Sequence, residues 1–418
     1  AVNRYSRGVV QIGAPTVREE ADSVEVTAQV RVDWPDGQVD DRLWFRLPAG
    51  TRVSPEAAAD ACFALGLLLA MASGSRLSMA APVSPRLLAQ SVELQDILTC
   101  WHPRKLSRAG LDVTARTTDG PAPTPGTISF FTGGVDSYFT AVTPPERVTG
   151  LAFVHGYDIP LRDTGFFAET LQHLQAAADE LGKPLVHLST NLKKFTAGRI
   201  YWGPIAHGPA LLAAGLLLHQ HGDTLLVPSS RLYTELGPWG THPLTDRLYS
   251  TEYLTFAHHG AATSRLDKTL QLASNESARR HLRVCWKKTG AYNCGLCEKC
   301  LRTMTTLKLA GTLESFEVFP ATLTTERIRT QELDRDRFAL QNLRLAREVG
   351  DAELAAALTE AIRSYRERKA QASPKAKPAA STRHAAPPGP RQAVNALRHL
   401  TGLRGRAGLR RLRRFLAR

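Results

Sequence analysis

The chain has 418 residues with ordinary hydrophobic (43%) and charged (22%) fractions, which excludes a single small module and allows two or three domains. Apolar runs such as residues 209–218 are far shorter than the roughly 20 residues of a membrane span, and the first residues lack the apolar core of a secretory signal. We therefore expect no transmembrane helix and a cytoplasmic location, without disulfides. The formal net charge of +14 lies in residues 366–418, so the rest of the chain is electrically balanced.

Residues 1–120 predict an α+β accessory domain. Alternating polar and apolar residues predict strands over 23–32 and 42–47, which would form a small sheet. Helices are predicted over 55–72 and 85–100, with Ser54 and Ser84 as their N-caps. The turn-forming residues that follow, over 118–126, predict a linker before a new unit.

From residue 127, short apolar runs alternate with helical segments, a pattern typical of a parallel sheet flanked by helices. Strands are predicted over 128–131, 148–154, 184–188 and 224–227, and helices over 167–181 and 206–219. Two amphipathic helices are predicted further along, at about 331–349 and 351–369. We expect an α/β domain over 126–275, a cysteine-containing helical region over 276–370 and a basic tail over 371–418.

A glycine-rich turn follows the first of these strands and leads into a helix. Its functional residues are Thr132, Gly133, Gly134, Asp136 and Ser137. A strand that turns into a helix points unpaired backbone N–H groups at one spot, and adjacent glycines let phosphate oxygens approach the main chain. The two hydroxyls add donors, while the carboxylate is expected to orient the loop or to hold Mg²⁺ between phosphates.

Four of the six cysteines fall within sixteen residues. Cys285, Cys294, Cys297 and Cys300 have the spacing C-x8-C-x2-C-x2-C. Four thiolates in a turn-rich loop can surround Zn²⁺ tetrahedrally in a closed structural site, and Gly295 suits the tight turn that such ligation needs. Ligation of a [4Fe–4S] cluster stays open as the alternative.

The turn closely resembles the Ser-Gly-Gly-x-Asp-Ser loop of the PP-loop ATP pyrophosphatases, with Thr132 in place of the first serine. Together, turn and cysteines resemble the 7-cyano-7-deazaguanine synthases over about residues 127–304. The resemblance implies a Rossmann-like sheet of the adenine nucleotide alpha hydrolase type, bound ATP and Mg²⁺, and a structural zinc. It also implies an AMP-forming ligase, which adenylates a carboxylate or amide oxygen for attack by a nitrogen nucleophile and releases pyrophosphate.

Other candidate residues surround these two motifs. Lys268 and Arg265 are predicted to stabilise charge on the departing pyrophosphate and, with Asp136, form the predicted catalytic set. His155 and Asp158, at the end of the second predicted strand, are predicted to contact ATP. Loops beyond the carboxyl ends of parallel strands bind ligands, which makes a further set candidates for the substrate: Ser229, Ser230, Thr241, His242 and Asp246.

Two other functions stay open at this point. Enzymes that insert sulfur into tRNA or a metabolite form the same adenylate intermediate. A sulfur transferase of this kind would need a persulfide-carrying cysteine or an iron–sulfur cluster. A non-catalytic nucleotide-binding scaffold would also keep the loop.

The partners expected of the ligase are a small-molecule substrate and a nitrogen donor, and a homodimer is a further expectation. Apolar residues recur at near-helical intervals among the arginines of 391–418, a basic amphipathic pattern. We expect the tail, largely disordered by its composition, to contact an anionic partner: RNA, a membrane surface or an acidic protein.

Overall fold

The computed structural model describes residues 8–118, 120–143, 148–287, 292–319 and 322–372. The chain divides into two compact units, Ala1–Tyr365 and Arg366–Arg418. The first unit contains the sheet and every candidate site residue. In the second, the described residues are helical as far as Ala372, and the basic amphipathic segment predicted over 391–418 lies outside the described residues.

Eleven strands and thirteen α-helices lie in the described residues. The strands are β1 (Val9–Ile12), β2 (Thr16–Glu19), β3 (Ser23–Trp34), β4 (Gly37–Pro48), β5 (Arg76–Met79), β6 (Leu111–Asp112), β7 (Thr127–Phe130), β8 (Val148–His155), β9 (Leu185–Thr190), β10 (Thr224–Pro228) and β11 (Thr255–His259). The helices are α1 (Pro55–Ser73), α2 (Pro85–Trp101), α3 (Val135–Val142), α4 (Thr164–Glu180), α5 (Lys193–Thr196), α6 (His207–Leu216), α7 (Pro243–Asp246), α8 (Arg265–Leu272), α9 (Glu276–His281), α10 (Glu298–Leu309), α11 (Thr325–Thr330), α12 (Arg337–Glu348) and α13 (Ala352–Ala372).

All eleven strands belong to one mixed sheet with the order β11-β10-β7-β8-β9-β4-β3-β1-β5-β6, while β2 pairs with β3. The first five strands of this order are parallel, and β4 joins them by antiparallel pairing with β9. The two strands predicted in residues 1–120 pair with each other as β3 and β4, but their sheet is not confined to those residues, because β4 pairs with β9 and extends the parallel sheet. The predicted domain boundaries stay predictions.

Helices cover both faces of the sheet. On one face α1 packs against α6, and the apolar residues of β1, β3, β4 and β7 join them in one core. On the other face α3, α4 and α8 to α13 pack over a second core that includes Leu151 and Phe153 of β8. The predicted N-caps are confirmed, since Ser54 and Ser84 each accept a hydrogen bond from a backbone N–H in the first turn of α1 and α2. The predicted α/β class is thus confirmed.

One helix among the described residues, α1, is long and apolar enough by length and composition to cross a membrane. However, 83% of its apolar stretch is buried inside the protein.

Candidate functional site

A cavity of about 560 Å³ opens at the carboxyl ends of β7, β8 and β10. Its floor is formed by residues of these three strands, among them Phe130, Val154 and Val227. Within the parallel block the order of strands reverses between β7 and β10, since the chain leaves β7 for β8 on one side and later returns to β10 on the other. In open parallel sheets, ligands bind where the order reverses.

The glycine-rich turn forms one wall of this cavity. Thr132, Gly134, Asp136 and Ser137 line it, and Gly133 shapes the turn with a φ of +72° in the left-handed region, which favours glycine. Ser137 Oγ accepts a hydrogen bond from the backbone N–H of Thr132 at 3.2 Å and donates one to the carbonyl of Gly134 at 3.0 Å. The turn is therefore held closed by its own serine.

Helix α3 begins at this turn without a side-chain cap. The backbone N–H groups of Gly134, Val135 and Asp136 donate no hydrogen bond to any other described residue. Unpaired N–H groups at the positive end of a helix dipole attract an anion. The turn therefore offers the unpaired N–H donors that a phosphate group can bind.

Asp136 lies between two of the predicted cations. Its carboxylate accepts a hydrogen bond from Arg265 Nη1 at 2.5 Å and one from Lys268 Nζ at 3.4 Å. Burial raises the pKa of Asp136, but the charges of Arg265, Lys268 and Arg302 outweigh it, so the net shift is downward. Lys268 is 1% exposed and also donates to the carbonyl of Ser229 at 2.6 Å. The structure thus brings the three predicted catalytic residues together.

Further cations face the same cavity. Its charged lining comprises two carboxylates, Asp136 and Asp158, and five cations: Lys193, Arg265, Arg283, Lys287 and Lys299. The ammonium of Lys299 has no hydrogen bond or ion pair with the described residues, while the Nε atoms of Arg265 and Arg283 are buried without a partner among them. This excess of positive charge favours an anionic ligand.

Two tryptophans, Trp202 and Trp239, also line the cavity. Trp202 lies at the start of a π-helical turn, Trp202–Ala206, which leads into α6. Trp239 packs beside this turn, since a Cβ on Gly203 would come within 3.0 Å of its ring. Lys193 Nζ lies 4.6 Å from the centre of the Trp202 ring and donates to the carbonyl of Tyr157 at 2.7 Å. The cavity thus offers planar aromatic surface as well as cations.

The predicted substrate residues divide into two groups. Ser230 and Thr241 line the cavity, and Thr241 Oγ1 lies 3.4 Å from Nε2 of His207, a residue that also lines it. Ser229, His242 and Asp246 lie outside the lining that the described residues form. Of these, Ser229 is 1% exposed and holds Lys268 through its carbonyl.

His242 and Asp246 instead stabilise the short helix α7. Nδ1 of His242 accepts the backbone N–H of Leu244 at 3.1 Å. The fully buried carboxylate of Asp246 accepts the backbone N–H of His242 at 2.9 Å and lies 2.6 Å from His258 Nδ1. Their observed contacts therefore support the loop that carries Thr241.

Of the two residues predicted to contact ATP at the end of β8, one lines the cavity and the other does not. Asp158 lines the cavity, is exposed, and has no hydrogen bond or ion pair with the described residues. The His155 ring stacks on Phe167 with centroids 3.8 Å apart, and its nitrogens lie near Ser189 and Pro160. In this position His155 is not among the described residues that line the cavity.

The four cysteines of the predicted metal site converge, with all four sulfurs within 4.8 Å of one another. The Cys285–Cys297 and Cys294–Cys300 sulfur pairs are each 3.9 Å apart. Zinc–sulfur bonds of about 2.3 Å would place tetrahedral ligands about 3.8 Å apart, so the cluster could bind a single zinc ion. Gly295, with a φ of +64°, makes the tight turn, and Sγ of Cys294 accepts the backbone N–H of Cys297 at 3.3 Å.

Sequence reasoning missed several cavity residues. Lys299 could have been found, because it lies between Cys297 and Cys300 of the cysteine motif. Lys193 has no such signal, since the short helix α5 follows β9 without a recognisable pattern.

In comparisons with known proteins, no family model matches the chain, and neither a curated protein nor a solved structure matches it significantly. The geometry of the site therefore has to support any functional assignment.

Proposed function

We propose that the protein is an AMP-forming, ATP-dependent ligase of the PP-loop class, similar in chemistry to the 7-cyano-7-deazaguanine synthases. The observation that carries the proposal is the uncapped glycine turn, which opens into a large cavity lined by five cations and two carboxylates. The parallel strand order, which reverses at this cavity, supports a Rossmann-like fold for residues 127–259.

In this proposal the phosphates of ATP bind the N–H groups of residues 134–136, and the adenosine packs against the aromatic residues of the lining. A carboxylate or amide oxygen of the substrate attacks the α-phosphorus, the bond to the β-phosphate breaks, and pyrophosphate leaves. Arg265 and Lys299 stabilise the charge that develops on pyrophosphate. A nitrogen nucleophile then attacks the activated carbon and AMP departs, which requires no nucleophilic side chain from the protein.

The two carboxylates of the cavity have different parts in the proposal. Asp136 is already paired with Arg265 and Lys268, which suits a residue that orients cations around the turn. Asp158 is exposed and has no partner among the described residues, which suits a ligand of the Mg²⁺ that accompanies ATP.

The sulfur distances favour zinc over the iron–sulfur alternative. Each cysteine of a [4Fe–4S] cluster binds a different iron, which requires thiolates further apart than around one ion. The remaining cysteines give little support to sulfur transfer through a persulfide. Cys62 is buried, which raises the pKa of its thiol to about 12, and Cys100 on α2 is not among the described residues that line the cavity. Metal analysis with one zinc per chain and no iron would favour the ligase over the sulfur transferase.

The proposal is tested by incubating the protein with ATP, Mg²⁺, ammonium and a panel of small carboxylates. We expect AMP and pyrophosphate to be released, and labelled pyrophosphate to exchange into ATP only when the correct carboxylate is present. Release of ADP and phosphate instead would contradict adenylate formation.

Two variants, one at each end of α3, test whether this activity depends on the turn. Ser137→Ala removes the hydroxyl that closes the turn and should lower AMP formation about tenfold or more, as expected for loss of a buried hydrogen-bonding group. Thr143→Ala, just after the opposite end of the helix, removes a hydroxyl bonded to the carbonyl of Phe139 and should leave the rate within about twofold. Equal effects of the two changes on the rate of AMP formation would show that the activity does not depend on the turn.

A further inference from the structure

The cysteine cluster and the cavity share part of the chain. Cys285 itself lines the cavity, and so do Val284, Trp286 and Lys287 beside it. On the other side of the cluster, Lys299 lies between Cys297 and Cys300 and also lines the cavity. The metal site is therefore a wall of the proposed nucleotide site.

The segment around Cys285 is also hydrogen-bonded directly to the glycine-rich turn. Two residues before Cys285, the backbone N–H of Arg283 donates to the carbonyl of Gly133 at 2.8 Å. The Arg283 guanidinium lies 5.2 Å from the centre of the Phe166 ring, and its Nε is buried without a hydrogen-bond partner among the described residues. Movement of the Cys285 segment would therefore displace both a cavity cation and one anchor of the turn.

A buried asparagine connects the two halves of the cluster. Asn293, 1% exposed, accepts the backbone N–H groups of Val284 and Cys285 at 2.9 and 3.1 Å and donates to the carbonyl of Leu282 at 2.8 Å. It directly precedes Cys294. The cluster, the Cys285 segment and the turn thus form one hydrogen-bonded unit.

Four thiolates this close repel one another unless a cation neutralises them. We infer that a metal ion on the four cysteines positions Arg283, Lys287 and Lys299 against the anionic part of the nucleotide. Metal and nucleotide then bind cooperatively, each raising the affinity for the other by the same factor. The inference rests on the proposed function, and it assigns to the metal centre a positioning role in ligand binding beyond stabilisation of the fold.

The test uses the full chain and AMPCPP, an ATP analogue with an uncleavable bond between the α and β phosphates, in excess Mg²⁺. Calorimetry should give at least about tenfold tighter AMPCPP binding to the zinc-loaded protein than to the metal-depleted protein, as loss of charge-assisted contacts predicts. Reciprocally, AMPCPP should raise zinc affinity against a competing chelator by the same factor.

Two variants on α10 keep the test decisive if metal removal unfolds the protein. Lys299→Gln keeps all four cysteines, so it should retain one metal ion and an unchanged Tm, yet bind AMPCPP about tenfold more weakly and lose most of the coupling. Lys308→Gln, an exposed position on the same helix, should behave like the native protein. Both variants meet the same nucleotide concentration, so chelation of zinc by AMPCPP itself cancels between them.

The outcomes separate the two proposals. Equal AMPCPP affinity with and without metal, or for the two lysine variants, would overturn the cooperative role and leave the ligase proposal intact. A zinc-loaded protein that binds no AMPCPP would refute the ligase proposal, and the inference with it.

Discussion

Asp136 is the residue whose role can be decided most sharply. The sequence allows it either to orient the turn or to hold Mg²⁺, and the structure pairs it with Arg265 and Lys268. Asp136→Asn keeps the shape of the side chain and removes its charge. Because Lys268 is almost fully buried, the change leaves two neighbouring cations without their counter-charge.

The expected destabilisation follows from this burial. Removing one partner of a buried ion pair costs about 3–5 kcal/mol, and we expect about 3 kcal/mol because the amide oxygen of the introduced side chain can still accept one hydrogen bond. With about 2.1 cal/mol/K of unfolding entropy per residue, the unit Ala1–Tyr365 has about 0.8 kcal/mol/K, so Tm should fall by about 4 °C. The lowered pKa of Asp136 means that its stabilisation is present above the unfolded-state pKa, near 3.9, and is lost as pH falls through the folded-state value.

The assay is thermal and urea unfolding at pH 7, followed by tryptophan fluorescence without nucleotide or Mg²⁺. Asp158→Asn is the matched control, since it removes the other cavity carboxylate at an exposed position and should change unfolding free energy by less than about 0.5 kcal/mol. AMPCPP titrations of both variants with and without Mg²⁺ complete the comparison. We expect the dependence of affinity on Mg²⁺ to be lost in Asp158→Asn and retained in Asp136→Asn.

Two results would refute this reasoning. An Asp136→Asn protein as stable as the native one would show that the carboxylate does not hold the two cations in place. Loss of the Mg²⁺ dependence in Asp136→Asn, with Asp158→Asn unaffected, would make Asp136 the metal ligand.

Four further predictions concern the turn, the packing of α6, the cysteines and pH. Gly133→Ala should cost about 1–2 kcal/mol in unfolding free energy and weaken AMPCPP binding, because it puts a Cβ into left-handed backbone only 3.0 Å from Leu174. Unchanged AMPCPP affinity would argue against phosphate binding at the turn. Gly208→Ala would place its Cβ 1.6 Å from the carbonyl oxygen of Gly240 and should prevent native packing, whereas Gly165→Ala meets nothing within 4 Å and should unfold like the native protein. Cys294→Ser should lower bound zinc well below one ion per chain by metal analysis, and full retention would exclude the four-cysteine site. Burial lowers the pKa of eight histidines: His102, His155, His173, His187, His207, His219, His221 and His242. Their contribution to stability should be full above the unfolded-state pKa near 6.5, and the unfolding free energy should fall from pH 7 to 5 by up to about 1.4 kcal/mol per pH unit for each extra proton bound on unfolding. A urea midpoint that does not change between pH 7 and 5 would contradict this.

Local patterns in the sequence predicted six of the eleven described strands and most of the longer helices, because the interactions that decide these elements are short in range. The four strands predicted in the parallel block appear as β7 to β10, and the two N-cap serines begin α1 and α2 as expected. The pairing of β4 with β9 was not predicted, because the sequence of an edge strand does not specify its partner. The pairing of Phe45 with Thr190 joins strands about 145 residues apart, and no local signal records it.

The two compact motifs of the site could be predicted without a structure. The glycine turn lies within six residues and the cysteine cluster within sixteen, so their geometry follows from neighbouring residues and could be read from spacing. Which side chains meet in the cavity depends instead on how the chain folds. It brought Lys193, Arg265 and Lys299 from separate elements to one cavity, and it turned His155 onto Phe167 and Asp246 toward His258. Side chains that share no local pattern become neighbours through strand order and helix packing, and these depend on burial across the whole core.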